Sequence, residues 1–375
     1  MSPIEKSEII VIKIGSSTLS SLNPSGGINT EIVSRLCETI DKLKNSGYKI
    51  LLVTSGAVAL GMKKLQLDKK PKTVTGKQVA AAVGQAELMQ IYEKYFSKYK
   101  ITIAQVLLTR EGFQNRDLYI NARETILELL DMNVIPIINE NDVVASEEIR
   151  FGDNDMLSAL VSDLISADRL FILTDEDGLY DKNPKKNKNA KLISVVERVT
   201  PQTERIATGA GTDIGTGGML SKVLAAKLAT SVGIQTHVIN GKSPENILEI
   251  LKGKEFGTTF LPFGNKIEKR KSWIAHTLIS SGKIFVDRGA QKAIHDEGKS
   301  LLPSGIKKIF GTFDRGATVD IYLLYGNKPF AKGITNYGKH ELEKISGLKS
   351  SEISKILGYT YGETVIHRDD LVVMN

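Results

Sequence analysis

Apolar and polar positions divide the chain into two kinds of segment. Short apolar runs predict strands: "IIVIKI" (9–14), "KILLVT" (49–54), "ITIAQVLL" (101–108), "VIPII" (134–138), "RLFILT" (169–174) and "QTHVI" (235–239). Their near-continuous hydrophobicity predicts strands buried on both faces. Stretches with a helical period lie between them. "NTEIVSRLCETIDKLKNSG" places Ile32, Leu36, Ile40 and Leu43 on one face and closes at Gly47, and "NDMLSALVSDLI" repeats the pattern with Leu157, Leu160, Val161 and Leu164. Strand and helix in alternation predict an α/β domain whose mostly parallel sheet is sandwiched by helices. One position interrupts the first run. Lys13 puts an ammonium into a strand expected to be buried, where a charge must find a partner.

Near residue 257 the pattern changes. "GTTFLPFGNKIEKRK" contains glycines and then turns basic, with no helical period, and the residues after it carry short strand-like runs broken by glycines. The expected organisation is a first domain over 1–260, a linker over 261–275 and a small β-rich domain over 276–375.

Composition narrows the class. The 375 residues are enough for each domain to bury a core, and 25% charged with 41% hydrophobic residues is ordinary globular usage. The formal charge of +7 favours anionic partners without choosing between a nucleotide and a nucleic acid. Cys37 is the only cysteine, which excludes an internal disulfide and a Cys-rich zinc site and fits a reducing cytoplasm. The leader "MSPIEKSE" has no apolar core and no run approaches the length of a membrane helix, so neither a secretory signal nor a membrane span is expected.

Ligands of open parallel sheets bind beyond the carboxyl ends of the strands. Those ends carry "GSST" (15–18), "TSGAVALG" (54–61), "NENDVV" (139–144) with "FGDNDMLSA" (151–159) close behind, and "TDEDGLY" (174–180); "GTGGMLSK" (215–222) opens a further helix. Each loop taken singly is ordinary turn chemistry, and Asp153 or Asn154 taken singly is an N-cap. The glycines before Lys222 remove side chains from a backbone that then starts a helix, which suits close approach to a phosphate. The Walker A spacing and the dinucleotide G-x-G-x-x-G are both absent. Taken together, two lysines (Lys13, Lys222), glycines, amides and carboxylates at the strand ends of one sheet suit phosphoryl transfer, in which positioning and charge stabilisation carry the reaction. Asp153 and Asp155 are candidate Mg2+ ligands.

"VIKIGSS", "VTSGAVALG", "NENDVV", "GDNDMLSA", "LTDEDGLY" and "GTGGMLSK", in this order, resemble the amino-acid kinase family over residues 9 to about 260. "VDRGAQKAI" and "SLLPSGI" in the C-terminal part resemble a PUA domain, a small β-barrel of RNA-binding type. The resemblance implies the amino-acid kinase fold with an appended PUA domain, and transfer of the ATP γ-phosphate to the side-chain carboxylate of L-glutamate as the first step toward proline. It implies that Lys13 and Lys222 contact phosphates as catalytic groups, with Asp155 orienting them or engaging Mg2+ together with Asp153. Ser55, Asp142 and Asn154 fall where the family binds the amino acid. Thr174, Asp175 and the stretch Thr216, Gly217, Gly218, Met219, Leu220, Ser221 and Lys222 fall, with Lys13, at the ATP site. The chain reads "GGMLSK" where the family pattern is "GGMSTK" or "GGMGTK", so Leu220 puts a bulky side chain beside the phosphate loop.

Further implications are feedback inhibition by proline and a homo-oligomer, dimer or tetramer. RNA as a partner rests on fold analogy alone. Residues 276 to 375 hold 14 bases and 11 acids, which is no basic stripe, and a structural or regulatory role is expected of them. Other readings remain: a kinase of the same fold acting on acetylglutamate, aspartate or uridylate; an RNA-binding protein whose α/β part is a relic; and a non-catalytic amino-acid sensor. An acetylglutamate kinase would lack the PUA-like tail, an aspartate kinase would carry ACT domains instead, and a relic has no reason to keep Lys13, Asp155 and Lys222 together.

Overall fold

The computed structural model describes residues 7–19, 27–109, 112–113, 115–145, 154–184, 186–208, 218–263 and 280–374. Two compact units divide the chain, Met1–Phe263 and Gly264–Asn375.

The first unit is built on one sheet of β1 (Ile9–Ile14), β2 (Lys49–Val53), β3 (Ile103–Leu108), β4 (Ile135–Glu140), β5 (Arg169–Thr174), β6 (Val195–Val196), β7 (Gln235–Asn240) and β8 (Thr258–Phe260). Their order is β3-β4-β2-β1-β5-β7-β8-β6, and every pairing is parallel except β7 with β8. All six strands expected from the apolar runs are present. The brief β6 and β8 have too few residues to show a pattern. β4 runs two residues past its expected end, because Asn139 and Glu140 stay in register with Leu107 and Leu108 of β3.

The helices described in this unit are α1 (Ser16–Leu19), α2 (Thr30–Asn45), α3 (Ala57–Lys64), α4 (Val74–Phe96), α5 (Arg116–Asp131), α6 (Asn154–Leu164), α7 (Pro201–Thr208), α8 (Met219–Ser231) and α9 (Asn246–Leu251). Successive strand residues point to opposite faces, which gives the unit two cores. Ile9 and Val11 join Leu51, Val53, Ile138 and Ile172 under α6 and α8, which contribute Leu157, Val161, Val223 and Ala226. Ile10, Ile12 and Ile14 join Leu52, Ile137 and Phe171 under α2, α4 and α9, which contribute Leu36, Ile40, Leu88, Tyr92 and Ile247. Asn29 caps α2 by accepting from the N–H groups of Glu31 and Ile32, and the chain leaves that helix through Gly47 at φ +90°, the closing residue expected of it.

α3 and α4 pack backbone against backbone. A Cβ on Gly61 would stand 1.7 Å from the Ala80 carbonyl oxygen, and one on Gly84 1.8 Å from that of Ala57. Only glycine permits this approach, and it seats α4 against the helix that leaves β2.

In the second unit, β9 (Gly282–Val286), β10 (Ile306–Gly311), β11 (Thr318–Leu323), β12 (Pro329–Ile334) and β13 (Leu371–Val373) form a separate sheet in the order β10-β9-β11-β12-β13. Its own core holds Ile284, Val286, Val319, Ile321, Leu342 and Ile345. The expectation of a β-rich domain missed its short helices at Arg288–His295, Lys339–Ile345 and Ile353–Leu357, each too brief for a strong period. Among the described residues no helix is long and apolar enough to cross a membrane.

Candidate active site

The alternation that buries Ile9 and Val11 beneath α6 and α8 sends Lys13 to the same face, at the carboxyl end of the strand. The lysine is 1% exposed, and its ammonium donates to Oδ1 of Asp155, the second residue of α6. Lys222, in the first turn of α8, places Nζ 3.1 Å from Oδ2 of the same carboxylate. The Ser221 hydroxyl stands 2.7 Å both from that oxygen and from the Gly218 carbonyl. A Cβ on Gly15 would come within 3.3 Å of Lys13 Nζ, so the residue that ends the strand leaves room for the ammonium.

Asp155 is fully buried and Lys222 is 5% exposed. Buried ions persist when paired and hydrogen-bonded, and here one carboxylate serves two ammonium groups. The three side chains together carry one net positive charge at the strand ends, which suits an incoming anion.

Next to this cluster lies a set of amides. Asn154, first residue of α6, donates through Nδ2 to the Thr54 carbonyl at 2.6 Å, to Ser55 Oγ at 3.0 Å and to Asn139 Oδ1 at 2.8 Å. Asn139 in turn donates to Gln85 Oε1 of α4 at 2.8 Å. The Tyr92 hydroxyl is 2.7 Å from Thr54 Oγ1, and burial pushes its phenol well above the ordinary value, so the ring stays neutral. Asp142 lies half-buried in the turn after β4, next to Val143, whose carbonyl accepts from Gln78 of α4 at 3.2 Å.

On the other side of β1, Thr174 ends β5 with its hydroxyl 3.2 Å from Asp175 Oδ1, and Ser17 Oγ stands 3.5 Å from the same oxygen. Asn240, at the end of β7, donates to Asp177 at 2.8 Å. The candidate residues therefore fall along one line of strand ends: β4 and β2 carry Asp142 and Ser55, β1 carries Lys13, and β5 carries Thr174 and Asp175.

Gly218 is the extended N-cap of α8; Met219 packs on the core that also holds Val223, and Leu220 is half-buried. Asp153, Thr216 and Gly217 lie outside the described residues, as does the linker from 264 onward. Among the described residues no group of three or more His, Cys, Asp or Glu side chains could hold a metal ion. Cys37 is buried in α2, and burial pushes its thiol up, which leaves it inert. Sequence reasoning did not single out Asn139, Thr54, Tyr92 or Gln85. Asn139 and Thr54 stood inside the strand-end motifs, but Tyr92 and Gln85 show no signal until α4 is folded against β2 and β4.

Residues 8–240 match the amino acid kinase family and residues 282–357 match the PUA domain. The chain is 49% identical over 365 residues to a glutamate 5-kinase of Thermoanaerobacter sp. (strain X514), with 97% of each chain covered. It is 46% identical over 371 residues to a glutamate 5-kinase of Geobacter sulfurreducens (strain ATCC 51573 / DSM 12127 / PCA), with 99% of each covered. Among solved structures, carbamate kinase from Giardia lamblia bound to AMP-PNP superposes with a TM-score of 0.52 at 16% identity, covering 68% of this chain and 99% of that one, a likeness of fold.

Proposed function

The chain belongs to the amino acid kinase family, and from that premise we propose that it transfers the γ-phosphoryl group of ATP to the side-chain carboxylate of L-glutamate, giving γ-glutamyl phosphate and ADP. The observation that carries the reading is the pair of buried lysines on one carboxylate at the ends of the central strands. The relatives that share nearly half of their residues with this chain over almost its whole length support glutamate as the acceptor.

The side-chain carboxylate of glutamate is ionised at neutral pH, so the attacking oxygen needs neither a general base nor a covalent enzyme intermediate. The enzyme must bring two anions together and stabilise the charge that spreads over the transferring group. Lys13 and Lys222 do this in the proposed mechanism, with Asp155 holding both ammonium groups in place between turnovers. Both Asp155 oxygens face donors, so its surroundings do not fit a magnesium site. Mg2+ therefore enters as part of the substrate MgATP.

Thr174 and Asp175, with the stretch from Thr216 to Lys222, take the nucleotide. Ser55, Asp142 and Asn154 take the amino acid, an acid and neutral acceptors for its α-ammonium. The same reading gives the protein proline as a feedback inhibitor, a dimeric or tetrameric assembly in the cytoplasm, and a structural or regulatory role for residues 276–375.

ADP release in the presence of MgATP tests the acceptor. L-glutamate is expected to drive turnover, while L-aspartate, N-acetyl-L-glutamate and UMP leave it at background. Preference for any of those three would replace the acceptor named here.

A further inference from the structure

Three side-chain amides run in line from the crevice into α4: Asn154, Asn139 and Gln85. Two backbone groups fix their polarity. The Glu140 N–H can only donate, and it meets Asn139 Oδ1 at 3.0 Å; the Thr54 carbonyl can only accept, and it meets Asn154 Nδ2 at 2.6 Å. Asn139 must therefore show its oxygen to Asn154 and its nitrogen to Gln85, and Gln85 Oε1 accepts there at 2.8 Å. The nitrogen of Asn154 is turned to Thr54, Ser55 and Asn139, which leaves Oδ1 as the amide atom offered to a ligand.

Gln85 carries an uncompensated cost. Its Nε2 is buried and has no hydrogen-bond partner among the described residues. An apolar side chain at this position would avoid leaving a donor unsatisfied, so the benefit of glutamine has to come from Oε1. The residue is also well supported. Gln78, Gln85 and Tyr92 repeat every seven residues along one face of α4 and contact Val143, Asn139 and Thr54 respectively.

We propose that Gln85 is a positioning residue for the acceptor amino acid: by accepting from Asn139 Nδ2 it holds the Asn139 side chain in place, and Asn139 Oδ1 in turn holds Asn154 with its own Oδ1 open to the substrate's α-ammonium. This rests on the reading that the acceptor is an amino acid bound beside Ser55 and Asn154. With an apolar residue at 85, Asn139 Nδ2 loses its acceptor and the side chain shifts to find another. Asn154 then loses Asn139 Oδ1 as a partner, and its own Oδ1 moves off the place that receives the ammonium.

The test is steady-state kinetics of the full-length protein with MgATP and L-glutamate. Gln85→Met, unbranched and of similar length, is expected to raise KM for glutamate roughly ten- to a hundredfold, the scale of one hydrogen bond to a charged group, with KM for ATP within about twofold. Gln85→Ala carries the same expectation and replaces it should the methionine variant fail to fold. Gln85→Glu keeps an oxygen facing Asn139 and is expected to stay within about fivefold of the parent KM. In an Asn139→Ala background, with no amide left to hold, the Gln85→Met effect should shrink to about twofold or less. An unchanged KM for glutamate, an equal rise in both KM values, failure of Gln85→Glu to rescue, or the same effect in both backgrounds would each overturn the proposal. If the parent protein ignores glutamate but uses another amino acid, the functional reading fails instead, and the same comparison is made with that acceptor.

Discussion

Lys13 is a charge in a strand buried on both faces, and its environment is as specific as its position is unusual. Strand alternation directs it toward α6 and α8, and the first turns of those two helices supply Asp155 and Lys222. The ammonium is thus paired in the resting protein, and in the proposed mechanism it meets the transferring phosphoryl group. Removing one preorganised donor of this kind costs about 10²- to 10³-fold in kcat. Lys13→Met, which keeps the apolar stem, is therefore expected to fold, to lose that much kcat and to hold KM for glutamate within a few-fold. Near-normal turnover would show that the lysine is structural. Much of this was legible in the sequence: a lone lysine in an apolar run, followed by glycine, marks a strand end with a task. Its partner Asp155 was expected only through the family resemblance, because it lies 142 residues away and only the folded sheet brings the two together.

At the scale of elements, hydrophobic pattern located the strands and polar strand ends concealed the site. Asn139 and Glu140 pair as strand residues although nothing in their character says so, and this extension of β4 carries Asn139 to Asn154 and Gln85. Gln85 had no signal of its own, since a glutamine on a long helix reads as a solvent-facing residue. Strand β7 shows the converse, a titratable group that belongs to the core. His237 stacks on Phe171 with ring centroids 4.6 Å apart, and its Nδ1 is 3.0 Å from Thr259 Oγ1. Burial first, and the Arg169 charge second, lower its pKa from 6.5 to about 3. Between those values the unfolded chain binds a proton that the folded chain refuses, so the contribution is complete above pH 6.5 and is lost as pH falls toward 3. One such group adds up to about 1.4 kcal/mol per pH unit to the acid slope of stability. Denaturant unfolding of His237→Phe should show a shallower decline below pH 6.5 than the parent, and equal slopes would contradict this account.

For the molecule as a whole, the chemistry falls within one of two units, each with its own sheet and its own core. The structure divides between Phe263 and Gly264, and the sequence loses its helical period near residue 257 before turning basic. The contribution of the second unit does not show in the sequence, because its 14 bases and 11 acids are mixed rather than gathered. In the proposed mechanism the order of strands in the first unit sets the order of functions: amino-acid groups beyond β2 and β4, Lys13 of β1 with Lys222 of α8 beside it, nucleotide groups beyond β5. That arrangement serves the joining of two anions by cations, with no nucleophile and no base. Its product is a mixed anhydride of a carboxylic and a phosphoric acid, which hydroxylamine traps. The protein incubated with L-glutamate, MgATP and hydroxylamine is predicted to form γ-glutamyl hydroxamate in step with ADP. ADP release without hydroxamate, or hydroxamate from another acceptor but none from L-glutamate, would contradict the account.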